Sequence, residues 1–79
     1  MKFSVTITLK KDVLDPQGKV VQNTLMNLGM LDLKSIRQGK YFEVELNEKD
    51  EVKGKKKVND MCEKLLANLI IEEYKINKL

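Results

Sequence analysis

Apolar residues recur along this chain at two different periods, and the order in which those periods follow one another limits the fold more than any other feature. Residues 3–9 alternate, with Phe3, Val5, Ile7 and Leu9 on one side and Ser4, Thr6 and Thr8 on the other. That is the pattern of a half-buried strand. After Lys10, Lys11 and Asp12 the chain reaches Asp15-Pro16. Aspartate is a good N-cap, and proline suits the first helical position, where a missing N–H costs nothing. Val21, Thr24, Leu25 and Leu28 then fall on one face at helical spacing, and Gly29 stands where a helix ends in positive φ. A helix is predicted over residues 16–28.

Residues 31–38 give a weaker second strand. Leu31 and Leu33 share one parity and Ile36 has the other, so the strand carries either a bulge or burial on both faces. Gln38-Gly39-Lys40 reads as a hairpin turn with glycine at the positive-φ site. Residues 41–46 alternate again, Phe42, Val44 and Leu46 against Tyr41, Glu43 and Glu45. Asn47 or Asp50 can cap a second helix, whose apolar stripe is Val58, Met61, Cys62, Leu65, Leu66 and Leu69. Gly54 weakens its first turns by about 1 kcal/mol relative to alanine. A last strand over residues 70–77 carries Ile70, Ile71, Tyr74 and Ile76.

The predicted order is β-α-β-β-α-β within one domain, residues 1–79. With one apolar stripe per helix and one apolar face per strand, it implies a two-layer α+β sandwich of ferredoxin-like type. Its antiparallel sheet would have four strands and carry both helices on one face. Ser4, Thr6, Thr8, Tyr41, Glu43 and Glu45 would line the open face.

A core in a chain of 79 residues supplies only roughly 3–5 kcal/mol, so a staple or a partner is expected. Cys62 is the only cysteine and there is no histidine. An intrachain disulfide is therefore excluded and a soft-ligand metal site is not expected. Association with a partner is the remaining route. Without imidazole the chain also lacks the general base of Ser-His-Asp and Cys-His chemistry. Cys62, inside an apolar stripe, reads as a buried structural thiol.

Lys and Arg number 15 against 12 Asp and Glu, a net charge of +3, and Arg37 is the only arginine. Nucleic-acid readers favour the arginine fork. Lys55, Lys56 and Lys57 are consecutive and diverge around a helix, so they read as a solvated surface. The strand at residues 39–46 has some likeness to an RNA-reading strand, but only Tyr41 is an aromatic on the open face, and Glu43 and Glu45 repel phosphate. Neither a P-loop nor a GxGxxG motif is present. The N-terminus has no apolar signal core, and no apolar run approaches membrane length. These features predict a cytoplasmic protein that binds neither nucleic acid nor membrane.

Asp15-Pro16-Gln17-Gly18 is incompletely explained by capping, because a glycine in the first helical turn costs stability. Close approach of another backbone would account for Gly18, as would a merely tolerated glycine.

Five segments together resemble a known family. They are Val13-Leu14-Asp15-Pro16-Gln17-Gly18, the helix end Leu28-Gly29, Ile36-Arg37-Gln38-Gly39-Lys40-Tyr41-Phe42-Glu43-Val44, Met61-Cys62-Glu63-Lys64-Leu65-Leu66-Ala67-Asn68, and Ile71-Glu72-Glu73-Tyr74. In order and spacing they are similar to the small PurS subunit of phosphoribosylformylglycinamidine synthase. The family usually has proline after the asparagine that ends the second helix. Here Leu69 follows Asn68, so that helix is expected to end less sharply.

The resemblance implies a non-catalytic subunit in de novo purine biosynthesis. The whole enzyme would convert formylglycinamide ribonucleotide, glutamine and ATP to formylglycinamidine ribonucleotide, glutamate, ADP and phosphate. A glutaminase subunit would release ammonia and a large synthetase subunit would use it with ATP and Mg²⁺. The small subunit would bridge the two, assist ammonia transfer, bind no cofactor itself, and form a homodimer or higher oligomer. Candidate subunit contacts are the second strand with its turn, Arg37, Gln38, Gly39 and Lys40, and then Asp15, Pro16, Gln17 and Gly18. A bulky acidic residue at Arg37 or Gly18 is expected to weaken assembly while the isolated domain stays folded. A ferredoxin-like sensor of small molecules is the alternative of a different class, separable by direct amino-acid titration.

Overall fold

The computed structural model describes residues 1–79. Three strands form one antiparallel sheet in the order β2-β1-β3. They are β1 (Lys2–Leu9), β2 (Gly39–Glu45) and β3 (Glu72–Lys78). Central β1 pairs Val5 with Phe42 on one side and with Ile76 on the other. Helices α1 (Pro16–Asn27) and α2 (Glu51–Met61) complete the fold, and α2 runs on into one π-helical turn over Cys62–Leu66. That turn closes with the Ala67 N–H donating to the Cys62 carbonyl at 3.0 Å.

The buried residues explain this arrangement. Phe3, Val5 and Ile7, alternating on β1, meet Val58 and Cys62 from α2 and its π-turn, with Ala67 just beyond. Phe42, Val44, Leu46, Tyr74 and Ile76 pack around them, half-buried. A Cβ at Gly54 would lie 3.0 Å from the Phe3 ring. The glycine predicted to weaken α2 thus lets the helix lie close on β1. Asp50 is the cap, accepting from the Val52 N–H at 2.9 Å.

Four expectations are corrected. The predicted strand at residues 31–38 is not a strand: Leu31 and Asp32 lie in a turn, and residues 33–38 lead into Gly39 without regular structure. The hairpin turn at Gln38-Gly39-Lys40 is consequently absent, and Gly39, inside β2, does not have positive φ. The sheet has three strands, not four. Only α2 covers it; α1 makes no substantial packing with any strand or helix, so two helices do not share a face.

Smaller differences have local causes. The helical run after α2 stops before Ala67, whose φ of −123° and ψ of 143° are extended, so Leu69 does not prolong the stripe. The last strand begins at Glu72 because Ile70 and Ile71 lie in a turn, where the Asn68 carbonyl accepts from the Glu72 N–H at 2.7 Å. Ser4 is buried, being short and set between Glu43 and Asn77 on the central strand. Thr6, Thr8, Tyr41, Glu43 and Glu45 are exposed as predicted.

α1 ends in a Schellman motif. The Met30 N–H donates to the Leu25 carbonyl and the Gly29 N–H to that of Met26, each at 3.1 Å. Gly29 has φ of +100°. The chain then returns alongside the helix, the Gln22 side chain reaching the Lys34 carbonyl at 3.5 Å. Helix and returning segment make an arm, and α1 alone is about 18 Å long. The molecule measures 49 × 25 × 14 Å with a radius of gyration of 16.0 Å, against about 12 Å for a compact chain of this length.

Candidate functional site: the base of the arm

The arm leaves and re-enters the sheet at a cluster of polar residues, and most of the predicted contact residues meet there. Asp15 has one carboxylate oxygen on the Gly18 N–H at 2.9 Å and the other on the Gln38 N–H at 2.8 Å. It therefore caps α1 and holds the returning segment with the same side chain. These two N–H donors and the Arg37 guanidinium hold its pKa below the usual carboxylate value. The Gln38 amide donates to Gln17 Oε1 at 2.7 Å.

Arg37 makes the widest set of contacts. Nη1 donates to the Lys11 carbonyl at 3.0 Å, and Nη2 to the carbonyls of Lys10 at 3.1 Å and Val13 at 2.8 Å. The planar fork of arginine suits such a convergent set of acceptors. The loop it grips is itself fixed to the sheet, because the Lys10 N–H donates to the Ile71 carbonyl at 2.9 Å.

Gly18 follows from this geometry. A Cβ there would stand 2.5 Å from Asp15 Oδ2 and 3.0 Å from the Ile36 carbonyl. The close approach is by this chain's own returning segment, so a bulky acidic residue at Gly18 would strain the isolated domain, contrary to expectation. Gly18 is also the only buried residue between positions 10 and 40. Lys40, at the start of β2, pairs with Glu72 at 3.3 Å. Pro16 and Gly39 are exposed, and neither joins the hydrogen-bonded cluster.

A shallow cleft of about 380 Å³ lies beside the cluster, lined by Asp12, Leu14, Lys19, Gln22 and Ser35 among others. Its lysines are surface residues and Arg37 is spent on carbonyls, so it offers no built anion site. No group of His, Cys, Asp and Glu in the molecule could hold a metal ion. Cys62 is fully buried and its thiol is pushed up by that burial, with Glu63 adding to the shift. A neutral, enclosed thiol is a poor nucleophile. No helix is long and apolar enough to cross a membrane.

The arm exposes an apolar surface that the sequence pattern does not reveal. Val20 is 65% exposed, Leu28 71% and Leu31 76%. Leu28 belongs to the stripe that was expected to face the chain's own sheet. A trace of it is the mismatched parity of Leu31, Leu33 and Ile36, which fits no single-faced strand.

Comparison with known proteins gives one family. The family model for PurS, phosphoribosylformylglycinamidine (FGAM) synthase, matches residues 2–79. The PurS subunit of Bacillus subtilis FGAM synthase is 43% identical over 74 residues, 94% of this chain and 87% of that protein. The crystal structure of Methanocaldococcus jannaschii PurS, a subunit of formylglycinamide ribonucleotide amidotransferase in the purine biosynthetic pathway, superposes with a TM-score of 0.87. It has 41% identity and covers 96% of this chain and 92% of that one. A chain in the structure of PurLQS from Thermotoga maritima gives a TM-score of 0.91 at 31% identity, covering 99% of this chain and 95% of that one. The chain belongs to the PurS family, the small subunits of FGAM synthase in purine biosynthesis.

Proposed function

We propose that this chain works as a docking subunit, holding a glutaminase and a large synthetase subunit together so that ammonia released by one reaches the other. The observation that carries this reading is the family match over residues 2–79, set beside a surface without reactive groups. A glutaminase needs an activated cysteine, and here the one thiol is enclosed. ATP chemistry needs phosphate and Mg²⁺ ligands in a pocket. On this reading ATP and Mg²⁺ belong to the partners, the chain binds no cofactor of its own, and it acts in the cytoplasm.

The arm is the docking element we favour, and a second copy is one of its partners. Leu14, Val20, Leu28, Met30 and Leu31 are each more than half exposed. Together they leave on the order of 600 Å² of apolar surface open, so pairing two arms would bury about 1,200 Å², the lower bound for a stable interface. Residues 16–33 carry one lysine and one aspartate, which suits an apolar partner surface.

The edge of β2 is a second open surface. The Met1 N–H donates to the Leu46 carbonyl and the Leu46 N–H to that of Met1, each at 2.9 Å. Because such pairs alternate in an antiparallel ladder, Phe42 and Val44 are likewise bonded to β1. Tyr41, Glu43 and Glu45 turn their backbone groups outward, an open edge of the kind that takes up another strand.

Mixing the chain with the synthetase and glutaminase subunits, ADP and glutamine tests the assembly. A ternary species on size-exclusion chromatography is expected, and three separate peaks would refute it. The sensor alternative has no supporting observation in the fold or the relatives.

A further inference from the structure

We propose that Arg37, acting with Asp15 and Gln38, is a positioning residue that sets the direction in which the arm leaves the sheet. Apolar packing cannot set it: every buried core side chain lies on β1, on α2 with its π-turn, or at Ala67, and between positions 10 and 40 only a glycine is buried. What joins arm to sheet is the set of directional hydrogen bonds at its base.

Two groups of bonds act at the base of the arm. Asp15 ties the start of α1 to the end of the returning segment, through Gly18 and Gln38, both within 2.9 Å. This makes the arm one body at its root. Arg37 then ties that body to the loop of residues 10–13 by three carbonyls, and Lys10 ties the loop to the turn just before β3 through Ile71. The chain joins arm to sheet twice, through residues 10–15 after β1 and through Gly39 into β2, and two such tethers still allow the arm to swing about the line between them. Arg37 bridges the two tethers through three carbonyls and so removes that freedom.

The consequence for assembly rests on the arm being the docking element, but the angle itself is measurable without that reading. Cysteines introduced as Asn27→Cys on α1 and Lys75→Cys on β3, both at exposed positions, can carry nitroxide labels while Cys62 stays buried. The labelled full-length chain, diluted with unlabelled chain, gives an intramolecular distance distribution by pulsed EPR.

A single narrow distribution is expected for the parent chain. Arg37→Ala should broaden it at least twofold, and Arg37→Lys, which can hold one of the three carbonyls, should fall between. Asp15→Asn keeps an oxygen for the Gly18 N–H but turns an amide toward the Gln38 N–H, and should broaden it as well. Slow amide exchange at Val5 and Ile7 in each variant verifies that the core is intact. Widths unchanged in Arg37→Ala and Asp15→Asn would overturn the proposal. In parallel, Arg37→Ala should weaken self-association at least tenfold by sedimentation. A parent chain that sediments as a monomer throughout removes the second copy as a docking partner, while broadened distances in Arg37→Ala and Asp15→Asn still support the positioning role.

Discussion

Gly18 and Cys62 show how single residues report their surroundings. In an exposed first turn, glycine to alanine normally gains helix stability. At Gly18 the added methyl would strike the Asp15 carboxylate and approach the Ile36 carbonyl. Gly18→Ala should therefore destabilise the chain by about 1–2 kcal/mol in urea unfolding, the scale of a lost cap; an increase in stability would contradict the crowding. Cys62→Ser places a hydroxyl among Phe3, Val5 and Val58 and should cost about 1–3 kcal/mol. It should leave glutamine-dependent turnover of the assembled enzyme unchanged per folded chain. Glu48 gives a pH signature. Its carboxylate accepts from Lys57 Nζ at 2.7 Å. That contact first, and the Asp50 N–H second, lower its pKa from 4.5 to about 2. A carboxyl lowered by folding contributes stability above its unfolded pKa and loses it as pH falls through the folded one. Stability should thus decline between pH 4.5 and about 2, with Asp15 acting in the same direction. Lys57→Ala should flatten that decline in acid titrations followed by circular dichroism.

At the scale of elements, what could be read from sequence divides cleanly by the kind of signal involved. β1, β2 and α2 were legible because alternation or a stripe coincides with burial in the same chain: Phe3, Val5 and Ile7 on one parity, Val58 and Cys62 one turn apart. α1 was legible from its ends, Asp15-Pro16 and Gly29, which act locally and need no partner. Its packing was not, since a stripe specifies that a face will be covered but not by what. Residues 31–38 failed for a tertiary reason. Asp15 takes the Gln38 N–H and Arg37 grips residues 10–13, and neither constraint leaves a trace in periodicity. The candidate contact residues read from sequence as two surfaces, whereas the fold joins Asp15, Gln17, Gly18, Arg37 and Gln38 into one cluster. The Schellman ending offers a further check. Gly29→Ala should cost about 1 kcal/mol through its positive φ, and Gly29→Asn less, measured as urea midpoints at constant slope.

Over the whole molecule, an elongated chain of 49 × 25 × 14 Å with a six-residue buried apolar cluster is poorly built to stand alone. Leu28→Asp and Leu31→Asp on the arm remove apolar surface without touching that cluster. They should reduce sedimentation-detected association while leaving the far-UV spectrum unchanged. The same economy suits the docking role proposed above, in which the chain holds other subunits in place. The central claim is tested most directly by reconstituting the synthetase and glutaminase subunits with and without this chain and measuring FGAM formation from glutamine and from ammonium salt. Omitting the chain is predicted to abolish the glutamine-dependent reaction while the ammonium-dependent one persists. Glutamine-dependent turnover that survives its omission would contradict the account.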